Sequence, residues 1–260
     1  ALEFLLEAEK LGRDDSWINA EIGQCLGRLE KYDEGIERLK KALELLEKDK
    51  RRNNTGEKIF INSEIGWLIG RKEDSNAEEA LYYLNAAKAL GRDDMWLNSE
   101  IAWELAYNDD KAKESIKYFE KAIKLGRKDE WINAEYGKVY ARIEKYEEAL
   151  KYFKKAKKLG QDDAWINIQM AICFKRLNKL KKSLEHYLLA EKFKDYKKDI
   201  WLLSEIAWTY DGLGKYKDGL KYLKKIDKFG RKDCWFYTEY GFCLMRLEKY
   251  KEAITKFKKG

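Results

Sequence analysis

Apolar and polar residues repeat along the chain with a period of about 35 residues. Each copy begins with an aromatic residue followed by a second apolar one, and successive copies are 43, 36, 35, 34, 36 and 34 residues apart. The anchoring residues are Trp17, Phe60, Trp96, Trp131, Trp165, Trp201 and Trp235. Self-similarity at this period indicates a repeat architecture, so the repeat is the unit from which the fold is predicted.

Each copy predicts two helices. After the anchor, apolar residues fall at offsets +1, +5, +8, +9 and +12, which share one face of a helix at about 100° per residue. In the first copy these are Ile18, Ile22, Cys25, Leu26 and Leu29. A short turn and a second amphipathic segment follow. Because both segments have an apolar face, we expect the two helices to pack against each other.

The ends of the predicted helices carry typical capping residues. A glycine follows the last apolar residue of most second helices, where a left-handed C-cap is expected; these are Gly12, Gly91, Gly126, Gly160 and Gly230. Aspartate precedes the next first helix, where its side chain can accept from free backbone N–H groups. The connector between repeats is therefore predicted to be short, of the type Gly-Arg-Asp-Asp.

These helix pairs resemble the tetratricopeptide repeat (TPR) family. A small residue recurs in the first helix, as at Gly137. In the second helix a small residue, a large one and an alanine recur in that order, as at Ala149, Phe153 and Ala156. Two features depart from the family pattern. Asparagine, as in Asn19, stands where the family usually has tryptophan, and the Gly-Arg-Asp-Asp type connector replaces the proline between repeats. The resemblance implies an all-α, right-handed superhelical solenoid of antiparallel helix pairs.

We expect residues 1–260 to form a single TPR-like solenoid. Residues 1–12 give the second helix of a truncated repeat, and seven repeats follow, so the chain has the pattern of a piece excised from a longer array. Three segments interrupt the period, Glu47–Lys58, Arg71–Ala77 and Lys194–Lys198. They are predicted to be surface loops or longer helix ends.

A second stripe of the first helices is the candidate functional face. Offsets 0, +3, +4, +7 and +11 lie away from the core stripe, and the resemblance implies that they line a concave groove. Offset +4 is mostly glutamate, offset +7 varies, and offset +11 is often arginine. The candidate partner-binding residues are Trp67, Trp103, Trp208, Phe242, Glu64, Glu100, Glu135, Glu205, Arg71, Arg142, Trp96 and Trp131.

Each row also has a purely structural interpretation. The anchor tryptophans could serve packing between repeats, which is the favoured interpretation because each copy needs it. The glutamates could pair with arginine. The variable offset +7 is the better functional candidate. A residue needed to build the solenoid would be the same in each copy, and the residue at this offset is not. An aromatic, Glu-lined groove suits an extended peptide with apolar and basic side chains.

The charge distribution offers an alternative partner. The chain has 54 Lys+Arg and 47 Asp+Glu, a net charge of +7. Residues 1–130 are net −6 and residues 131–260 net +13, with many lysines on second helices. A solvated outer face is the favoured explanation. Binding of nucleic acid or another anionic partner by the basic half is the alternative, and a third is a structural or self-associating spacer within a larger protein, through uncapped end repeats.

Chemistry of other kinds finds little support in the residues. The chain has a single histidine, His186, and four cysteines without a C-x-x-C pair, so no metal site, cofactor or catalytic residue is predicted. No uncharged stretch approaches the roughly 20 residues of a membrane span, and the cysteines fit a reducing, cytoplasmic setting. The sequence predicts a protein-protein interaction scaffold rather than an enzyme.

Overall fold

The structure, a computed structural model, describes residues 1–48 and 54–260, with only the backbone of Asp109. This part of the chain forms α-helices joined by short turns and contains no β-strand. The helices are α1 (Leu2–Lys10), α2 (Ser16–Arg28), α3 (Tyr32–Lys48), α4 (Thr55–Arg71), α5 (Ala77–Ala89), α6 (Met95–Tyr107), α7 (Ala112–Lys124), α8 (Glu130–Arg142), α9 (Tyr146–Lys158), α10 (Ala164–Arg176), α11 (Leu180–Glu191), α12 (Ile200–Gly212), α13 (Tyr216–Lys228), α14 (Cys234–Arg246) and α15 (Tyr250–Phe257).

Successive helices pack as pairs. Helix α1 packs on α2, and each even-numbered helix from α2 to α14 packs most extensively on the odd-numbered helix that follows it. Small residues permit this close approach. A Cβ atom at Gly66 of α4 would lie 2.9 Å from the backbone oxygen of Ala80 in α5. The prediction of an all-α fold built from antiparallel helix pairs is therefore confirmed.

The helices form two compact units, residues 1–128 and residues 129–260. The first holds α1 to α7, with a core that includes Leu39, Ile65 and Leu84. The second holds α8 to α15, with a core that includes Phe153 and Tyr187. Burial of such side chains provides most of the driving force for stacking helix pairs. The prediction that residues 1–260 form one continuous solenoid stays a prediction.

The predicted helix caps are confirmed. The glycines that end the second helices all have positive φ, between 90° at Gly230 and 119° at Gly160, a conformation that costs glycine little. Aspartates cap the first helices. Asp94 Oδ1 accepts from the backbone N–H of Leu97 at 2.8 Å, and Asp15, Asp129, Asp163, Asp199 and Asp233 make the equivalent bond.

Residues of the connector also contact the anchor tryptophan and form a hydrogen bond with the buried asparagine. The Arg92 guanidinium lies 4.4 Å from the ring centre of Trp96, while its Nε donates to Asp94 at 2.8 Å. Asp93 accepts from the side-chain amide of fully buried Asn98 at 3.0 Å. Similar bonds join Asn19 to Asp14 and Asn167 to Asp162. The asparagine that replaces the family's tryptophan is thus a structural residue.

One expectation from the sequence is wrong, and the structure adds detail at the turns and the irregular segments. Leu29, predicted to be a core residue, is 59% exposed because α2 ends at Arg28 and Leu29 is its C-cap. The turn inside a repeat uses residues in the left-handed region, among them Glu30 (φ 61°) and Glu144 (φ 62°), which the sequence did not indicate. Of the irregular segments, 49–53 lie outside the described residues, while Lys194–Tyr196 forms a short 3₁₀ turn.

Candidate binding surface

In the first unit, three aromatic side chains share an open cleft. Phe60 and Trp67 come from α4, where they are seven residues apart on one face, and Trp96 comes from the start of α6. All three rings are half-buried. The cleft has a volume of about 550 Å³, and its remaining lining consists of Arg28, Glu64 and Arg92. The sequence-predicted residues Glu64, Trp67 and Trp96 are therefore brought together at a surface open to solvent.

The charged residues of this cleft are two arginines and one glutamate, so the cleft is net positive rather than acidic. Burial raises the pKa of Glu64 above its ordinary value, although the Gln24 amide and the charges of Arg28 and Arg92 oppose that rise. The two arginines were absent from the sequence-predicted site. Arg28 occupies offset +11, the row to which Arg71 and Arg142 belong. Arg92 comes from the connector between repeats, for which the sequence predicted only a structural role.

Next to the cleft, Arg71 joins α4 to α6. Its guanidinium lies 4.4 Å from the ring centre of Trp103 and 5.6 Å from that of Trp67. Nη2 donates to Glu100 at 3.1 Å, and the Glu100 side chain is only 5% exposed. Burial raises the pKa of Glu100, and the charges of Arg71 and Arg127 counter this. Glu100 thus holds two helices together and offers no free carboxylate to a ligand.

A buried glutamate that the sequence pattern missed lies in the same region. Glu104 is 2% exposed in α6 and packs against Gly70 of α4, where a Cβ atom would overlap its carboxyl group. Burial, reinforced by the charge of Glu100, raises the pKa of Glu104 to about 8, and Arg71 opposes the rise. A signal was available. Glu104 stands at offset +8, where other repeats have apolar residues such as Leu68 and Val139.

In the second unit a lysine makes the same contacts as Arg71 does in the first. Lys175 of α10 donates to Glu205 of α12 at 2.7 Å and lies 5.1 Å from the ring centre of Trp208. The Tyr187 hydroxyl donates to the same carboxylate oxygen at 3.0 Å. In both units, then, a cation from the end of one first helix contacts the +4 glutamate and the +7 tryptophan of the next. These glutamates are chiefly structural.

The remaining sequence-predicted site residues lie in the second unit. The Trp208 ring meets that of Trp235 edge-on at 4.1 Å. Phe242 is 43% exposed and contacts Phe257. Trp131 and Glu135 are half-buried in α8, and Arg142 is exposed at its end. The structure thus distributes the twelve predicted residues over two units, six in each.

Metal-binding clusters and the single histidine were also predicted from the sequence to carry no site. No group of three or more His, Cys, Asp or Glu residues in the described part of the chain could hold a metal ion. His186 is half-buried, bonds through Nδ1 to the Asn167 side-chain oxygen at 3.1 Å and stacks on Phe174. Burial lowers its pKa. Among the described residues no helix is long and apolar enough to cross a membrane.

The comparisons with known proteins agree with the paired helices. The family model described as tetratricopeptide repeat matches residues 132–163, which span α8 and α9. The chain has the tetratricopeptide-repeat fold. The TPR fold is typically a scaffold for protein–protein interaction without catalytic activity of its own. No curated protein sequence matches the chain.

Solved TPR structures resemble the chain in fold at low sequence identity. The C-terminal part of a TPR protein from Cytophaga hutchinsonii is 18% identical, with a TM-score of 0.64, covering 98% of this chain and 92% of that one. A TPR protein from Parabacteroides merdae is 15% identical, with a TM-score of 0.62 and coverages of 94% and 91%. YrrB, described as a TPR protein with an unusual peptide-binding site, is 19% identical, with a TM-score of 0.58 and coverages of 78% and 96%.

Proposed function

We propose that the chain is a protein-interaction scaffold that binds an extended peptide on the exposed stripe of its first helices. The observation that carries this proposal is the open cleft in the first unit where Phe60, Trp67 and Trp96 meet. Partly exposed aromatic rings bury a large apolar area when covered, at little cost in side-chain entropy. The TPR fold and the peptide-binding site named for YrrB support the same class of partner.

The cleft rather than the buried glutamates would contact the peptide. Glu100 and Glu205 are paired with Arg71 and Lys175, and these two cations also contact Trp103 and Trp208. The glutamates would therefore help to position the tryptophans and would not bind the ligand. Phe60, Trp67 and Trp96 all line the cleft, and each is half-buried. The peptide would place one apolar side chain in this cleft.

Substitution of Trp67 tests the proposal. The chain is applied to an array of immobilised twelve-residue peptides of varied sequence, and Trp67→Ala is compared with Trp201→Ala, which removes an exposed tryptophan outside the cleft. We expect Trp67→Ala to lose capture by about tenfold or more with unchanged helical circular dichroism, whereas Trp201→Ala keeps it. Capture that is absent, or equal in the two variants, would refute the proposal.

Nucleic acid is a second candidate partner, favoured by one observation in the second unit. Lys151, Lys154 and Lys158 lie exposed on α9 and make no ion pair with any described residue. Such lysines could contact phosphates, with an affinity that falls steeply as salt rises. A gel-shift titration with single-stranded RNA at low and moderate salt decides this, and absence of binding at low salt removes it.

End-to-end self-association is a further proposal. Apolar side chains are exposed on the first and last described helices, including Phe4 (76% exposed) and Ile254 (54%). Exposed apolar surface of this kind can pair between copies of a repeat protein. Light scattering over a range of concentrations tests it. A mass that stays that of one chain would exclude the interpretation.

A further inference from the structure

The cleft in the first unit holds two arginines whose hydrogen-bonding capacity is mostly unused. Within the described part of the chain, Arg28 makes no hydrogen bond or ion pair, and Arg92 uses only Nε, on Asp94. An arginine carries five N–H donors in a planar fork that matches a carboxylate. Both guanidinium groups therefore have donors available at the same opening.

The one carboxylate in the cleft does not satisfy these donors. Glu64 also lines the cleft, and the charges of Arg28 and Arg92 lower its pKa, yet it makes no hydrogen bond or ion pair with either guanidinium. Hydrogen bonds to charged groups are among the strongest in proteins, so two open forks form a strong site for an anion. The cleft would take a carboxylate without first breaking an ion pair to Glu64.

The aromatic faces are already occupied by cations of the chain itself. Arg92 covers Trp96, and Arg71 lies beside Trp67 and against Trp103. A basic side chain of a ligand would therefore meet like charge where the sequence pattern suggested cation–π contact. An apolar side chain meets no such obstacle, since the Phe60 and Trp67 rings still have exposed surface.

We propose that this cleft recognises an acidic side chain next to an apolar one in an extended peptide, with the carboxylate held by Arg28 and Arg92 and the apolar group against Phe60 and Trp67. This inference rests on the proposed peptide-binding function and names its ligand class. It reverses the sequence-based expectation of a basic peptide, because the charges that compensate the glutamates come from the connector and from the end of α2.

Three fluorescein-labelled, C-terminally amidated peptides test it by fluorescence anisotropy. Each has ten residues in a three-residue repeat of a variable residue, Leu and Ser. The variable residue is Glu in the first peptide, Gln in the second and Lys in the third. We expect the Glu peptide to bind about tenfold or more tightly than the Gln and Lys peptides, and Arg28→Gln to abolish most of that preference. Arg28 is the cleaner variant because it has no partner to lose. Arg176→Gln is the matched control, since Arg176 is the exposed offset +11 arginine of another repeat and does not line the cleft.

The outcomes separate this inference from the proposed function. Tighter binding of the Lys or Gln peptide that still depends on Trp67 would overturn the acidic preference and leave the peptide-binding scaffold intact. Failure of all three peptides to bind would overturn the acidic assignment, while the peptide array independently tests the scaffold. A fourth peptide, the Glu peptide with a free-acid C-terminus, is measured beside the three amidated ones. Binding of this peptide alone would place the recognised carboxylate at the terminus and reject the side-chain assignment.

Discussion

Glu104 makes the stability of the first unit depend on pH in a defined direction. The carboxyl group has an ordinary pKa of 4.5 when the chain is unfolded and a pKa of about 8 in the buried site. Below pH 4.5 it is protonated in both states and folding carries no penalty. Between these values the unfolded chain loses the proton and the folded chain keeps it, so stability falls as pH rises. Above about pH 8 both states are ionised and the loss stops.

The size of the effect follows from the shift. Each pH unit in this window costs about 1.4 kcal/mol, so the penalty at pH 7 is about 3 kcal/mol. Glu104→Gln removes the ionisation but keeps the shape of the side chain. We therefore expect this variant to be more stable than the natural sequence by up to about 3 kcal/mol at pH 7, with the two nearly equal at pH 4.5.

Urea denaturation followed by circular dichroism at several pH values between 4.5 and 8.5 measures this difference. Glu73→Gln is the control, because Glu73 is exposed in the same unit and its replacement should leave the pH dependence unchanged. Parallel stability profiles for the natural sequence and Glu104→Gln would refute the reasoning. So would a Glu104→Gln variant that loses stability at neutral pH.

Three further substitutions probe the contacts that hold the repeats. Asp94→Ala removes an N-cap and should cost about 1 kcal/mol in the free energy of unfolding, whereas Asp94→Asn should restore most of it. Gly70→Ala forces a methyl group against Glu104 and should destabilise the fold by about 1–3 kcal/mol, measured by urea denaturation. Arg71→Gln removes the cation that pairs with buried Glu100, and we expect a loss of about 3 kcal/mol at pH 7 that shrinks in acid, seen as a lower melting temperature.

Helix positions and caps could be predicted because they depend on local chemistry that each repeat contains. The apolar offsets place Ile18 and Ile132 in the core. Asp15 starts a helix and Gly160 ends one, each through its own backbone neighbours. Seven copies of the pattern reinforce one another. The prediction that Leu29 is a core residue is wrong because the offset rule does not take into account where the helix ends.

The candidate site was only partly predictable because its charges pair across repeats. From sequence, Glu100 appeared as one member of an exposed row, but Arg71 from the preceding repeat buries and neutralises it. Arg92 belongs to a connector, and nothing in the spacing shows that its guanidinium lies over Trp96. The break in the pattern at Glu104 was visible, and departures from a repeat's own rule are the residues to inspect first.

Indole N–H chemical shifts measure most directly whether the cleft in the first unit is the peptide-binding surface. The chain carries nine tryptophans, whose ¹⁵N-indole signals can be assigned by single substitution. On titration with the peptide that binds most tightly in the array, we expect the Trp67 and Trp96 signals to move together while that of Trp165 stays in place. Shifts confined to Trp165, Trp201 and other signals of the second unit, with Trp67 and Trp96 unmoved, would contradict the account.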